Sequence, residues 1–149
     1  MSLLTPMLRT SPLTDWFSDV QRVQGMLDFE AALVRAEVEC GLVPQTALNP
    51  IIESCRHEKI DFAALGQAAA SAGNLAIPLV KQLTARVKER NEAAARYVHW
   101  GATSQDAIDT GFILQLRGAL AETESLLQRL LDALARQAER HQDTVMPGR

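Results

Sequence analysis

Residues 99–110 read His-Trp-Gly-Ala-Thr-Ser-Gln-Asp-Ala-Ile-Asp-Thr, and a long helical pattern follows them. A helix N-terminus carries unpaired backbone N–H groups and partial positive charge, so it can hold an anion. Thr103 and Ser104 add two hydroxyl donors at that end, and His99 lies within reach of the same anion. A carboxylate bound there would need no metal. The same residues also fit a capping box, with Thr103 as the cap and Asp106 three residues later in place of Glu. From the residues alone both readings stand, and Gly101 gives either of them room for a turn.

Other chemistry finds little support. His57, His99 and His141 are far apart, and Cys40 and Cys55 make neither a zinc pattern nor a disulfide framework. No metal and no cofactor are expected, and both cysteines read as inert thiols. The net charge of −3 is mild, and Lys81, Arg86, Lys88 and Arg90 read as a solvated helix face, so no nucleic-acid partner is expected. The N-terminal MSLLTPMLRTSPLTDW has no apolar core of a signal peptide. No run of about 18 apolar residues exists to cross a membrane. These features point to a cytoplasmic protein.

The elements that must position residues 99–110 read as all-α. Apolar residues make up 47% of the 149 positions and aromatics only 5%, which favours helix packing over a β-sandwich. Residues 1–12 read as irregular, with Thr14 or Ser18 as the first caps. Val20, Val23, Leu27, Ala31, Val34 and Val38 recur at helical spacing from Asp19 to Cys40, and Gly41 stops that helix. Pro44 opens a short helix to about Ser54. Asp61 caps another that ends at Gly73, and Pro78 sits in the first turn of the next, to about Glu92. The last helix runs from about Ser104 to about His141, with the stripe Ile108, Phe112, Leu116, Leu120, Leu127, Leu130, Leu131, Leu134 and Ala138. It would span roughly 55 Å, against about 30 Å for a compact domain of this length. Such a helix needs partners to cover its stripe. The division expected is an N-terminal helical domain over 1–102 and the first helix of a bundle over 103–149. The closing VMPGR reads as mid-loop, so the sequence is expected to be the N-terminal part of a longer protein.

The segment YVHWGATSQDAIDT resembles the first signature of the fumarase/aspartase superfamily, an H-x-G-x-T-S-x-D-x-x-D-T pattern. FSDVQRVQGMLDFEAALVRAE at 17–37, AGNLAIPLV at 72–80 and HWGATSQDAIDTGFILQLR at 99–117 are similar, in order and spacing, to its cycloisomerase branch. The resemblance covers nearly the whole chain. It implies a homotetramer with a core of long helices, and active sites built from three segments on three subunits. Only the first of those segments lies in this sequence. It also implies a small polycarboxylate substrate and lactone formation: one carboxylate of a carboxylated muconate adds across a conjugated double bond. The reverse step is the β-elimination shared by the superfamily. A carbanion beside a carboxyl group is the hard intermediate, and preorganised donors stabilise it.

Carried over by that resemblance, Thr103 and Ser104 would hydrogen-bond a substrate carboxylate, with Gln105 as a further pocket donor. His99 would bind or polarise a carboxylate or pass a proton; the other reading is a buried histidine that fixes the turn. Asp106 reads as the cap. Asn74 and Ser71, with Gly73, would line a pocket wall, while a plain helix C-cap explains the same residues. Trp16 falls where nucleotide-handling relatives place an aromatic after an arginine, but Asp15 precedes it here. That puts an adenylosuccinate lyase-like reading in doubt. A non-catalytic helical fragment is the rival of another class, and the intact donors at 103 and 104 count against it. His57 and His141 read as surface residues without a catalytic role.

Overall fold

The computed structural model describes residues 11–148, and among these it is helical with no strand. The helices are α1 Leu13–Trp16, α2 Asp19–Glu39, α3 Gln45–Ile52, α4 Phe62–Ala72, α5 Ala76–Arg90, α6 Glu92–Ala95 and α7 Ser104–His141, with a 3-10 turn at His57–Lys59. The expectation of irregular chain at 1–10 lies outside the described residues.

Local chemistry explains the boundaries. The Ser18 hydroxyl accepts from the Gln21 N–H at 3.3 Å, Asp61 from Ala64 at 2.9 Å and Asn91 from Ala94 at 3.1 Å. Each supplies an acceptor to a first-turn donor that lacks an intrahelical partner. Thr14, the alternative first cap, lies inside α1, which follows Pro12. Gly41 and Gly73 follow α2 and α4 in left-handed conformation, as stops.

The core forms where α2, α3, α4, α5 and the start of α7 meet. Val23, Met26, Leu27 and Val34 of α2 pack with Ala47 and Ile51 of α3, Leu65 of α4, and Leu79, Leu83 and Val87 of α5. Two details differ from the expected stripes. Val20 is exposed and Val38 only half-buried, while Glu30 and Glu37 lie on the buried face of α2. On α7 the buried residues are Ala107, Gly111, Gln115 and Ala119. The large apolar side chains Phe112, Leu120, Leu127, Leu130, Leu131 and Leu134 are all about half exposed or more.

The reason is a close crossing. A Cβ on Gly25 would sit 2.8 Å from the Gly111 carbonyl oxygen, and one on Gly111 would sit 2.9 Å from the Met26 nitrogen. Two helix backbones touch there, so the packed face of α7 must be built from small residues. Its bulky residues are turned elsewhere. No residue of α7 beyond Ala119 is buried.

The basic face at 81–90 also differs in part. Lys81 and Lys88 are exposed, but the Arg86 guanidinium reaches the Ser54 carbonyl at 2.8 Å and also the Arg56 carbonyl, after the end of α3. Arg90 pairs with Glu53. His57 is half-buried, its Nδ1 2.9 Å from Gln24 Oε1, whereas His141 is exposed. No helix among the described residues is long and apolar enough to cross a membrane.

Candidate functional site

The turn between α6 and α7 is built on two left-handed residues, His99 at φ 58° and Gly101 at φ 68°. Gly tolerates that region freely, whereas other residues enter it less often and gain from outside restraint. His99 has it: its Nδ1 lies 2.6 Å from Glu30 Oε1, and Phe29 meets its ring edge-on at 6.5 Å between centroids. Glu30 is only 3% exposed. Burial pushes its carboxyl above the ordinary value, and the His99 charge and hydrogen bond oppose that. Two turns along the same face of α2, Glu37 is also buried, with Oε2 unpartnered among the described residues. Burial first, and then the Glu30 charge, push its carboxyl up as well.

Thr103 follows in extended conformation and α7 begins at Ser104. The capping box forms. The Thr103 N–H and hydroxyl donate to the same Asp106 carboxylate oxygen at 2.8 and 2.9 Å. Those two bonds hold the Asp106 carboxyl below its ordinary range. The Thr103 hydroxyl proton is therefore committed to the cap. Neither bond uses the Ser104 hydroxyl or the N–H groups of Ser104 and Gln105. Those three donors are the ones a helix-end anion would meet.

Beside this end lies a cleft of about 430 Å³, lined by Arg22, Met26, Gly73, Asn74, Leu75, Gln105, Ile108, Asp109, Phe112 and Gln115. That volume falls in the usual range for small-molecule sites. Gln105 and Asn74, far apart in sequence, share its wall. The Gln105 amide donates to Asp109 at 2.6 Å. The Asn74 oxygen accepts from Ala76 and Ile77, capping α5. Gly73, not Asn74, takes the C-cap of α4. His99, Thr103 and Ser104 are not among its lining residues; Ser104 adjoins the cleft through its chain neighbour Gln105.

Two candidates stand apart. The Ser71 hydroxyl is exposed and turns back to the Gln67 carbonyl at 3.4 Å. Trp16 packs on Gly118, where any Cβ would collide with its ring, and its carbonyl accepts from the Gln115 amide at 2.7 Å. Gly118 is 14 residues along α7 from Ser104, about 21 Å at the helical rise. Conversely, Glu30, Glu37, Arg22 and Gln115 were not anticipated. Glu30 and Glu37 did leave a signal, because both interrupt the Val23–Leu27–Val34 stripe at positions that should be apolar. Among the described residues no cluster of three His, Cys, Asp or Glu could hold a metal.

Known proteins resemble the chain along its length. It is 58% identical over 139 residues to 3-carboxy-cis,cis-muconate cycloisomerase of Pseudomonas aeruginosa, covering 93% of this chain and 30% of that one. The Pseudomonas putida protein of the same name is 54% identical over 141 residues, covering 94% and 33%. The crystal structure of the 3-carboxy-cis,cis-muconate lactonizing enzyme from Pseudomonas putida superposes with a TM-score of 0.94 at 51% identity, covering 99% of this chain and 34% of that one. The chain thus spans about a third of the length of the curated relatives it matches. A family model described as lyase matches residues 7–149, and the chain belongs to that family.

Proposed function

We propose that the protein acts, in its assembled form, as a cycloisomerase that converts 3-carboxy-cis,cis-muconate to 4-carboxymuconolactone, a step of protocatechuate breakdown in the cytoplasm. The observation that carries this reading is the start of α7: a helix end with three uncommitted donors, beside a cleft of ligand size. Its likeness to named cycloisomerases supports the choice of substrate.

In this reading the substrate brings its own nucleophile. One carboxylate oxygen bonds to an alkene carbon, and the neighbouring carbon gains negative charge that spreads onto its own carboxyl group. A proton then completes the addition. The chain's residues orient and stabilise. The Ser104 hydroxyl and the N–H groups of Ser104 and Gln105 hold a carboxylate whose charge grows along the path, where fixed donors act most strongly. The Thr103–Asp106 bonds fix the helix end that presents them. Arg22 at the cleft wall supplies a cation for a further carboxylate, and Asp109 beside it repels one that is misplaced. Holding the folded-back substrate supplies the proximity term.

The exposed leucines of α7 fit a second copy of the chain, and a homotetramer through this helix is part of the proposal. Incubating the full-length assembled enzyme with 3-carboxy-cis,cis-muconate tests it. Loss of the diene ultraviolet absorbance with the lactone seen by NMR is expected. The isolated 149-residue chain should give no turnover. Turnover of adenylosuccinate in place of the muconate would reverse the assignment.

A further inference from the structure

Packing does not explain why Glu30 is a glutamate. It sits on the apolar face of α2 between Leu27 and Val34, 3% exposed, where an aliphatic residue would avoid the cost of burying a carboxyl group. Its hydrogen-bond partner is His99 Nδ1, 69 residues away in the chain, at 2.6 Å. His99 in turn holds a left-handed backbone, which is uncommon for any residue but glycine. Its ring is only 16% exposed, and Nε2 has no hydrogen-bond partner among the described residues.

We propose that Glu30 is the positioning residue of His99. Its carboxylate accepts the hydrogen bond from Nδ1–H, locks the ring, and leaves Nε2 as the nitrogen offered to the substrate. The logic is that of any histidine whose outer partner sets its tautomer. The reverse arrangement, with a protonated Glu30 donating to Nδ1 and the hydrogen on Nε2, is the alternative the proposal excludes. The proposal rests on the function above only for what Nε2 meets; the Glu30–His99 arrangement stands on its own geometry.

Three acidic groups act on His99: Glu30 and Glu37 from α2, and Asp106 from the first turn of α7. Changing Glu30 alone leaves the other two in place. The test uses the full-length enzyme with nitrogen-15 histidine, as wild type and as Glu30→Gln, Glu30→Ala and Leu27→Ala. In the wild type the His99 signals should show Nδ1 protonated. Glu30→Gln keeps an acceptor for Nδ1–H, so the tautomer should persist and kcat/KM should exceed that of Glu30→Ala. Glu30→Ala should mix the tautomers and lower kcat/KM by about 10–100-fold, the range for outer partners that orient metal-bound histidines. Leu27→Ala, a core change on the same helix, should lower stability without changing the tautomer. A wild-type spectrum with hydrogen on Nε2 would overturn the proposal. So would a Glu30→Gln spectrum with the hydrogen moved to Nε2, which decides the matter even if Glu30→Ala does not fold. A His99→Gln enzyme of undiminished kcat/KM would instead remove His99 from the proposed function and leave its tautomer control by Glu30 intact.

Discussion

Thr103 and Asp106 use their hydrogen bonds on each other, and this separates the roles of two adjacent hydroxyls. Thr103 builds the helix end, while the Ser104 hydroxyl takes no part in those bonds. The neighbouring acids obey opposite rules. Asp106 is held low by its two bonds from Thr103, so its contribution to stability is present above the ordinary carboxylate value and is lost as pH falls. Glu37 is pushed up by burial, with one oxygen unpartnered among the described residues. Above its unfolded value of 4.5 the unfolded chain releases a proton that the folded chain still holds, so the Glu37 contribution declines as pH rises through its folded value. Glu37→Gln removes that decline. Thermal melts of the variant and the wild type from pH 4 to pH 7.5 should diverge with rising pH, the variant gaining Tm. Parallel melting curves across that range would show that Glu37 carries no such penalty.

At the scale of elements, the contact between α2 and α7 decides where everything else points. Gly25 and Gly111 let the two backbones meet, and Gly111→Ala forces a Cβ against the Met26 nitrogen. Overpacking of this kind costs about 1–3 kcal/mol. Gly66 in α4 has open space around its Cβ position, so Gly66→Ala should stabilise by about 0.4–1 kcal/mol. Urea titrations of both variants check the contrast, and equal effects would contradict the crossing. Several helix boundaries were legible because local chemistry sets them: Ser18, Asp61 and Thr103 at starts, Gly41 and Gly73 at stops; the break at Asn91 that starts the short α6 was not read, and the preceding helix was carried to about Glu92. The buried face of α7 was not legible, because hydrophobicity marked Phe112 and Leu120 while the fold required the small residues at 107, 111 and 119. The site divides in the same way. The helix end at 103–106 follows from spacing within one turn. The Glu30–His99 pair and the shared wall of Asn74 and Gln105 depend on tertiary contacts that no local pattern encodes, though an acid on an apolar stripe was a visible sign of the first.

For the whole molecule, the outer part of α7 is the dominant fact. Beyond Ala119 none of its residues is buried, and Leu127, Leu130, Leu131 and Leu134 are 52–60% exposed. A stripe of that size calls for an apolar partner. Sedimentation of the 149-residue chain should show species well above 16.3 kDa, and Leu127→Glu with Leu131→Glu should return it toward that mass. A monomeric wild-type chain would contradict the reading of α7 as an assembly helix. The proposed chemistry lies at the other, N-terminal end of this same helix, and one measurement tests it most directly: kcat/KM for 3-carboxy-cis,cis-muconate with the full-length enzyme and its Ser104→Ala variant, at matched folding and oligomeric state. Losing one preorganised donor to a developing oxyanion costs about 2.7–4 kcal/mol, so a fall of about 10²–10³-fold is expected, carried mainly by kcat. An unchanged kcat/KM in a properly assembled variant would mean that Ser104 only begins a helix, and that the anion is held elsewhere.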